Sequence, residues 1–449
     1  EEHLPYITIA LKGTTIGTVT DATGHYFLKN LPEGNFVMEV SSVGYKTITR
    51  SVTLKKGKTL EENFELEEDA IALDGVVVSA NRNETTRRMA PTLVNVVDLK
   101  LFESTNSSTL SQGLNFQPGV RVETNCQNCG FQQVRINGLD GPYTQILIDS
   151  RPVFSALSGV YGLEQIPASM IERVEVMRGG GSALFGSSAI AGTINIITKE
   201  PLRNSGQLSH TITGFSGGNS FDNNTSLNLS LVTDDHRAGV YIFGQNRHRS
   251  GYDYDGDGFT ELPKLKNQTV GFRSYFKTST YSKLTFEYHH LQEFRRGGDM
   301  LNRPPHEANI AEQLEHAIDG GSLKFDYFSP NEKHRFSVFT SAANTDRDSY
   351  YGGGQDPNAY GKTTDFTVMG GTQYMYSFGR CLFMPADLTA GLEYNRDHLE
   401  DNMWGYNRHT EQTVNIYSGF LQNEWKNEKW GILLGGRLDK HNLIDHIIF

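Results

Sequence analysis

The sequence is 449 residues long and carries 41 Lys and Arg against 52 Asp and Glu, a net charge of −11. That balance argues against a nucleic-acid binder, which needs a basic surplus, and no run approaches the roughly 18–20 apolar residues of a membrane-spanning helix. Gly (46), Tyr (20) and Phe (25) are plentiful although only 37% of residues are hydrophobic, a composition suited to many short strands joined by turns.

Residues 1–68 predict a small β-sandwich. Apolar runs near 6–11, 26–28, 36–43 and 47–54 alternate with turn signals at 12–13, 21–24, 31–34 and 56–57. An acidic stretch, 61–69, follows, and 69–88 reads as a linker. Inside it Val76, Val77, Val78, Ser79 and Ala80 form a short, uncharged, β-prone piece between polar flanks. Two readings are open: a strand that adds to another protein's sheet edge, or one more strand of the sandwich.

Residues 89–200 form a mixed α+β segment with short apolar runs at 94–97, 145–148, 171–177 and 193–197. Gly179, Gly180 and Gly181 invite a phosphate-loop reading. That loop needs a Lys at its end to meet the phosphates, and no Lys follows before Lys199. The phosphate-loop reading fails.

Residues 201–449 predict eleven strands, near 207–216, 223–233, 238–247, 268–278, 283–293, 319–329, 334–345, 363–378, 386–398, 412–426 and 430–441. Most reach the roughly 9–11 residues that cross an outer membrane at a tilt. Several alternate: Leu284, Phe286 and Tyr288 share one face, and Thr285, Glu287 and His289 the other. A soluble sandwich alternates too. Connection lengths decide, because they run short (234–237), long (248–267), short (279–282), long (294–318), short (330–333) and long (346–362). Tight turns at one end and extended loops at the other mark a transmembrane β-barrel. Tyr241, Tyr275, Tyr327, Tyr417 and Trp430 fit interfacial girdles. Eleven strands are half of the 22 in plugged outer-membrane transporters, so the expectation is an incomplete antiparallel barrel.

The stretch from Leu11 to Phe27 resembles the carboxypeptidase-regulatory-like domain. The run from Ile171 through Arg178-Gly-Gly-Gly-Ser-Ala-Leu-Phe-Gly186 to Lys199 resembles the end of the plug domain of TonB-dependent outer-membrane receptors. Leu110–Val120, Val134–Gly138 and Gln145–Asp149 are plug-like as well. The resemblance implies an energised importer in the outer membrane of a Gram-negative bacterium, embedded in its lipid. A plug (89–200) would fill the barrel (201–449), and Val76–Ala80 would serve as the TonB box that pairs with TonB in the periplasm. No catalytic residue and no organic cofactor are implied. The cargo expected is a ferric siderophore, haem or a corrinoid. A glycan importer, or a non-energised surface adhesin or channel, are the alternatives, and a surface lipoprotein is a further candidate partner.

Within that resemblance, Asn125, Gln127, Asn128, Phe131 and Tyr161 are candidate cargo contacts at the plug apex. Cys126 and Cys129 form a C-x-x-C without a second pair, and in an oxidising compartment a local disulfide is the first reading. Asp253, Asp255, Asp257 and Glu261 space their carboxylates like the start of a calcium loop. Lys264 stands where an EF-hand needs Glu, so a complete EF-hand is excluded. Arg295, Arg296, His306 and His316 are read as members of one long loop, where paired Arg could grip an anionic chelate and His could ligate haem iron.

Overall fold

The computed structural model describes residues 3–21, 23–42, 44–68, 76–77, 82, 85–86, 94–126, 130–139, 143–151, 165–179, 182–186, 189–215, 220–427 and 429–448. The N-terminal unit is a sheet of β1 (Thr8–Leu11), β2 (Gly17–Val19), β3 (Gly34–Ser41) and β4 (Ile48–Leu54), in the order β2-β1-β3-β4. Alternation in Ile7, Ile9, Leu11, Met38 and Val40 puts one apolar face inward. Tyr26, Leu28, Phe64 and Leu66 pack against that face from segments outside the sheet, so the described residues give one covered four-stranded sheet where two sheets were expected.

The segment β5 (Val76–Val77) pairs antiparallel with β6 (Thr85–Thr86). The middle unit is built on a sheet ordered β10-β12-β11-β7, from β7 (Val94–Asp98), β10 (Thr144–Ile148), β11 (Ile171–Arg178) and β12 (Gly192–Thr198). Helices α1 (Leu99–Ser104) and α2 (Leu110–Leu114) and a hairpin of β8 (Val120–Cys126) and β9 (Phe131–Ile136) complete it, with α3 (Ser182–Phe185) before β12. Asp98 caps α1 by accepting from Leu101 N–H. Phe102, Leu110, Leu114, Ile136, Ile171, Val174, Val176, Ile194 and Ile196 form one core under the sheet, so the unit is a packed body.

The C-terminal unit is an eleven-stranded antiparallel meander in strict chain order. Its strands are β13 (Ser205–Gly214), β14 (Phe221–Val232), β15 (Ala238–Arg249), β16 (Lys264–Ser279), β17 (Ser282–Gly298), β18 (Ile310–Phe328), β19 (His334–Gly353), β20 (Tyr360–Cys381), β21 (Met384–Met403), β22 (Arg408–Lys426) and β23 (Gly431–His441). All eleven expected strands are present. The polarity of the two faces is inverted relative to a water-soluble sheet. Leu392 is 68% exposed while its neighbour Glu393 is 8%; Leu421 is 56% exposed and Gln422 2%. Asn224, Asn228, Asn267 and Thr269 are likewise buried, and Leu227, Leu229, Leu231 and Val270 exposed. A sheet whose bare face is aliphatic and whose covered face is amide, hydroxyl and charge is a barrel wall with lipid outside and a polar bore.

Strands β16 to β22 run well past the expected limits, and the long connections shrink to 250–263, 299–309, 354–359 and 404–407. The physical reason is that apolar alternation ends where the bilayer ends, whereas backbone pairing continues as long as a neighbour offers partners. Length alternation therefore survives clearly only at 250–263 and 299–309, the outer connection between β13 and β14 being short as well. Arg295, Arg296 and His316 consequently lie on β17 and β18, not in a loop. Tyr241 and Tyr275 are buried on the inner side, unlike the girdle positions expected for them, whereas Tyr417 and Trp430 are exposed.

Candidate functional site

The plug sits against the polar face of the wall. Near the short-turn end, Tyr241 Oη donates to Ser169 O at 2.7 Å. Lys283 Nζ lies 2.6 Å from Glu200 Oε1. Arg273 reaches from β16 to Asp149 and Glu287, and Thr198 Oγ1 donates to Asp149 Oδ2 at 2.7 Å. Burial alone would raise the Glu200 carboxyl, but Lys283 and Arg273 outweigh it and hold it at about 2. Asp149 is likewise held below the usual carboxylate range, Arg273 and Thr198 overriding its burial.

At the long-loop end the plug apex meets a buried polar network. Arg295 Nε donates to Glu293 Oε1 at 2.7 Å, Asn267 Nδ2 to Glu293 Oε2 at 3.1 Å, and Gln165 Nε2, from the plug, to Glu293 Oε1 at 3.1 Å. His316 Nδ1 stands 3.6 Å from Glu293 Oε1. Arg295 Nη1 also donates to Gly130 O at 3.4 Å, at the tip of the β8–β9 hairpin, where a Cβ on Gly130 would lie 3.0 Å from both Arg295 Nη1 and Pro263 Cγ. A network this buried and this densely bonded fixes the apex against the wall. Arg295 alone of its plug-facing members besides His316 was legible in the sequence; Glu293, Asn267 and Gln165 gave no motif.

The linker is anchored too. Val77 is fully buried in a cluster with Val94, Leu147, Met177, Leu184, Phe185 and Phe420. Arg82 Nη1 pairs with Glu393 Oε1 at 2.5 Å, Nη2 donates to Leu184 O at 2.5 Å, and the guanidinium lies over Phe185 and Phe420. Arg437 Nη1 shares the same acceptors, Glu393 Oε2 at 2.9 Å and Leu184 O at 3.1 Å. The TonB-dependent Receptor Plug Domain family matches residues 86–193, and the CarboxypepD_reg-like domain family matches residues 1–78. Residues 86–193 are thus a plug domain of the TonB-dependent receptor type, preceded by a CarboxypepD_reg-like domain.

The chain is 37% identical, over 125 residues, to the vitamin B12 transporter BtuB of Vibrio vulnificus, a stretch that covers 28% of this chain and 20% of BtuB. Its fold is similar to that of the siderophore receptor PirA from Acinetobacter baumannii (TM-score 0.67, 18% identity, 79% of this chain and 57% of PirA). It is similar also to a variant of the ferric enterobactin receptor PfeA from Pseudomonas aeruginosa (TM-score 0.66, 20% identity, 82% and 59%). The chain thus spans less than two thirds of the length of each. These relatives are transporters and receptors.

The expected cargo contacts divide. Asn125 and Phe131 lie on the apex hairpin, in β8 and β9; Gln127, Asn128 and Tyr161 fall outside the described residues, as do Val78, Ser79 and Ala80. Cys126 Sγ donates to Glu312 Oε2 of β18 at 3.2 Å, and its expected partner Cys129 is not among the described residues. Arg295 and Arg296 are both 1% exposed. Arg296 donates to Gly297 O and, at 3.0 Å, to Asp299 O, so neither guanidinium lies open in a loop to grip an anion, and the two do not join His306. His306 stays at the surface, its Nδ1 2.7 Å from Tyr360 Oη.

Asp253, Asp255, Asp257 and Glu261 do come together in the 250–263 loop, each offering a carboxylate oxygen within 4.8 Å of the others. The loop coils around them: Gly256 and Gly258 N–H donate to the two oxygens of Asp253 at 2.7 and 2.9 Å, and Tyr254 N–H donates to Glu261. Gly256 and Gly258 have φ of +78 and +92, which permits the tight coil. Four converging hard oxygen donors are the chemistry that Ca²⁺ takes, completed by water or backbone carbonyls.

Proposed function

We propose that the full-length receptor imports a corrinoid of the cobalamin type across the outer membrane, energised through TonB, with Ca²⁺ ordering its 250–263 loop. The observation that carries the import reading is the plug, seated on the polar face of a barrel wall and tied to it at both ends. A bore closed in this way cannot pass solutes by diffusion; cargo moves only when work is done on the plug. Val76–Val77 is the place to apply it, being already extended and paired along one edge with Thr85–Thr86. A segment in this state can exchange its own-chain partner for the edge of another protein's sheet.

The corrinoid choice is supported by the identity to a vitamin B12 transporter and by the four-carboxylate loop. An iron chelate has less support, because Arg295, Arg296 and His316 lie on strands and form no Arg and His loop to grip one. Asp253, Asp255, Asp257 and Glu261 would hold the cation, and neutralising them would stiffen the loop above the apex. Growth of a strain lacking the receptor tests the choice. A defect with cobalamin limiting, absent with ferric enterobactin or haem limiting, is the expected result; the reverse pattern would favour an iron chelate.

A further inference from the structure

The turn between β1 and β2, residues 12–16, does not end in solvent. Thr15 N–H donates to the carbonyl of Thr280 at 2.9 Å. The Thr15 hydroxyl lies 3.1 Å from that same carbonyl and 3.2 Å from Ser279 O. Beside it, Gly13 (φ +72) comes so near the next short turn that a Cβ there would lie 2.8 Å from Glu332 Cγ. On the same side Arg203, just before β13, stacks its guanidinium over the Tyr6 ring at 3.9 Å. One small domain therefore touches three separate segments of the wall: 203, 279–281 and 329–333. All three lie at the short-turn end.

Between the domain and the wall lies a cavity of about 450 Å³, lined among others by Arg82, Glu200, Lys277, Asp326 and Gln373 on the barrel and plug side and by Thr8, Thr15 and Glu39 on the domain side. Its charges are largely matched: Lys283 with Glu200 at 2.6 Å, Lys324 with Asp326 at 2.9 Å, Lys12 with Glu39 at 3.9 Å. It is a vestibule at the short-turn end, walled by the barrel strands, floored by the N-terminal sheet and reached on the plug side by Arg82 and Glu200. Arg82, which follows Val76–Val77 in the chain, faces into it.

We infer that the N-terminal domain is a lid over the short-turn mouth of the barrel, docked by the 12–16 turn on the 279–281 and 329–333 turns. Its contacts are few and mostly to backbone carbonyls, the kind of interface that opens by rigid-body displacement without unfolding either side. Gly13 is required twice, for its positive φ and for the close approach to Glu332. Anything that leaves the bore at this end, or reaches Arg82 from outside, passes the lid. This holds whatever the cargo.

The test uses the full-length receptor in outer-membrane vesicles. A Thr15→Cys, Thr280→Cys pair should oxidise without catalyst, because a hydrogen bond between the two backbones sets the Cα atoms within disulfide reach, and should give a faster-running band that reduction reverses. A third substitution, Gln373→Cys, reports on the vestibule through its rate of reaction with a bulky polyethylene-glycol maleimide, read at that peptide by mass spectrometry. The rate should be about tenfold lower with the disulfide closed than in a Thr15→Glu variant, whose carboxylate faces the carbonyls of Ser279 and Thr280. Failure of the pair to oxidise would overturn the docking. A closed disulfide with an unchanged labelling rate would overturn the lid. Neither readout involves cargo, so both stand if the corrinoid reading fails.

Discussion

Arg82 and Glu393, 311 residues apart in sequence, meet at 2.5 Å in a site where both side chains are almost wholly covered. The pair joins the linker to strand β21 of the wall, and Leu184 O and Phe185 join it to the plug. It is a clamp that any pull on Val76–Val77 loads early. Arg82→Ala should weaken it by about 2 kcal/mol, less than for an isolated buried pair because Glu393 keeps Arg437. Hydrogen exchange at 76–86 should then speed up about tenfold or more, while exchange in β11 and β12 stays unchanged. Lys at position 82 should rescue poorly, since it cannot serve Glu393 and Leu184 O at once.

Glu293 holds the apex network together. Glu293→Leu would leave Arg295 as a buried cation and break the bonds from Gln165 and Asn267. A loss of about 3–5 kcal/mol follows from stranding a buried charge, read as a lower midpoint in urea. Gln165→Ala, which removes a single donor, should cost about 1 kcal/mol. Equal costs for the two would show that Glu293 is not the hub.

The Glu200–Lys283 pair makes a prediction about pH. Glu200 is held at about 2 in the folded receptor, below its ordinary value near 4.5. A depressed carboxyl contributes its stabilisation in full above the unfolded value and loses it as pH falls through the folded one. The plug seat should therefore be indifferent to pH between 7 and 5 and weaken between roughly 4.5 and 2. Glu200→Gln should remove that acid-dependent step; its persistence in the variant would assign it elsewhere.

The 250–263 loop should bind Ca²⁺ with a Kd of about 0.1–1 mM, as extracellular sites do. Titration calorimetry on the full-length protein measures it. A double Asp253→Asn, Asp257→Asn variant should lose at least tenfold in affinity. Absence of heat at millimolar Ca²⁺ would leave the loop a solvated acidic turn.

The sheet was more legible than the site, and the reason is physical. Pairs such as Leu392 with Glu393 and Leu421 with Gln422 repeat a two-residue rule dictated by lipid on one side and a polar bore on the other. The rule is visible in several of the eleven strands, and connection lengths carry the rest. It falls silent past the bilayer, so from sequence the extension of β17 through Arg295 and Arg296 to Gly298 looks like loop, and two guanidiniums that serve structure look like solvated charges or an anion grip. The Asp253–Glu261 cluster was legible because its ligands are local, held by the turn that carries them. Arg82 and Gln165 were not, since each acquires its role only when segments a hundred or more residues apart are brought together, and Glu293 was not, since Asn267, Arg295 and His316 reach it only across paired strands.

The most direct test of energised import is uptake of cobalt-labelled cyanocobalamin by cells carrying the full-length receptor, with and without residues 76–80. Uptake that depends on that segment and on the proton gradient, with cyanocobalamin binding at the surface unchanged by the deletion, is the expected result. Uptake that continues undiminished without residues 76–80, or after the gradient is collapsed, would contradict it.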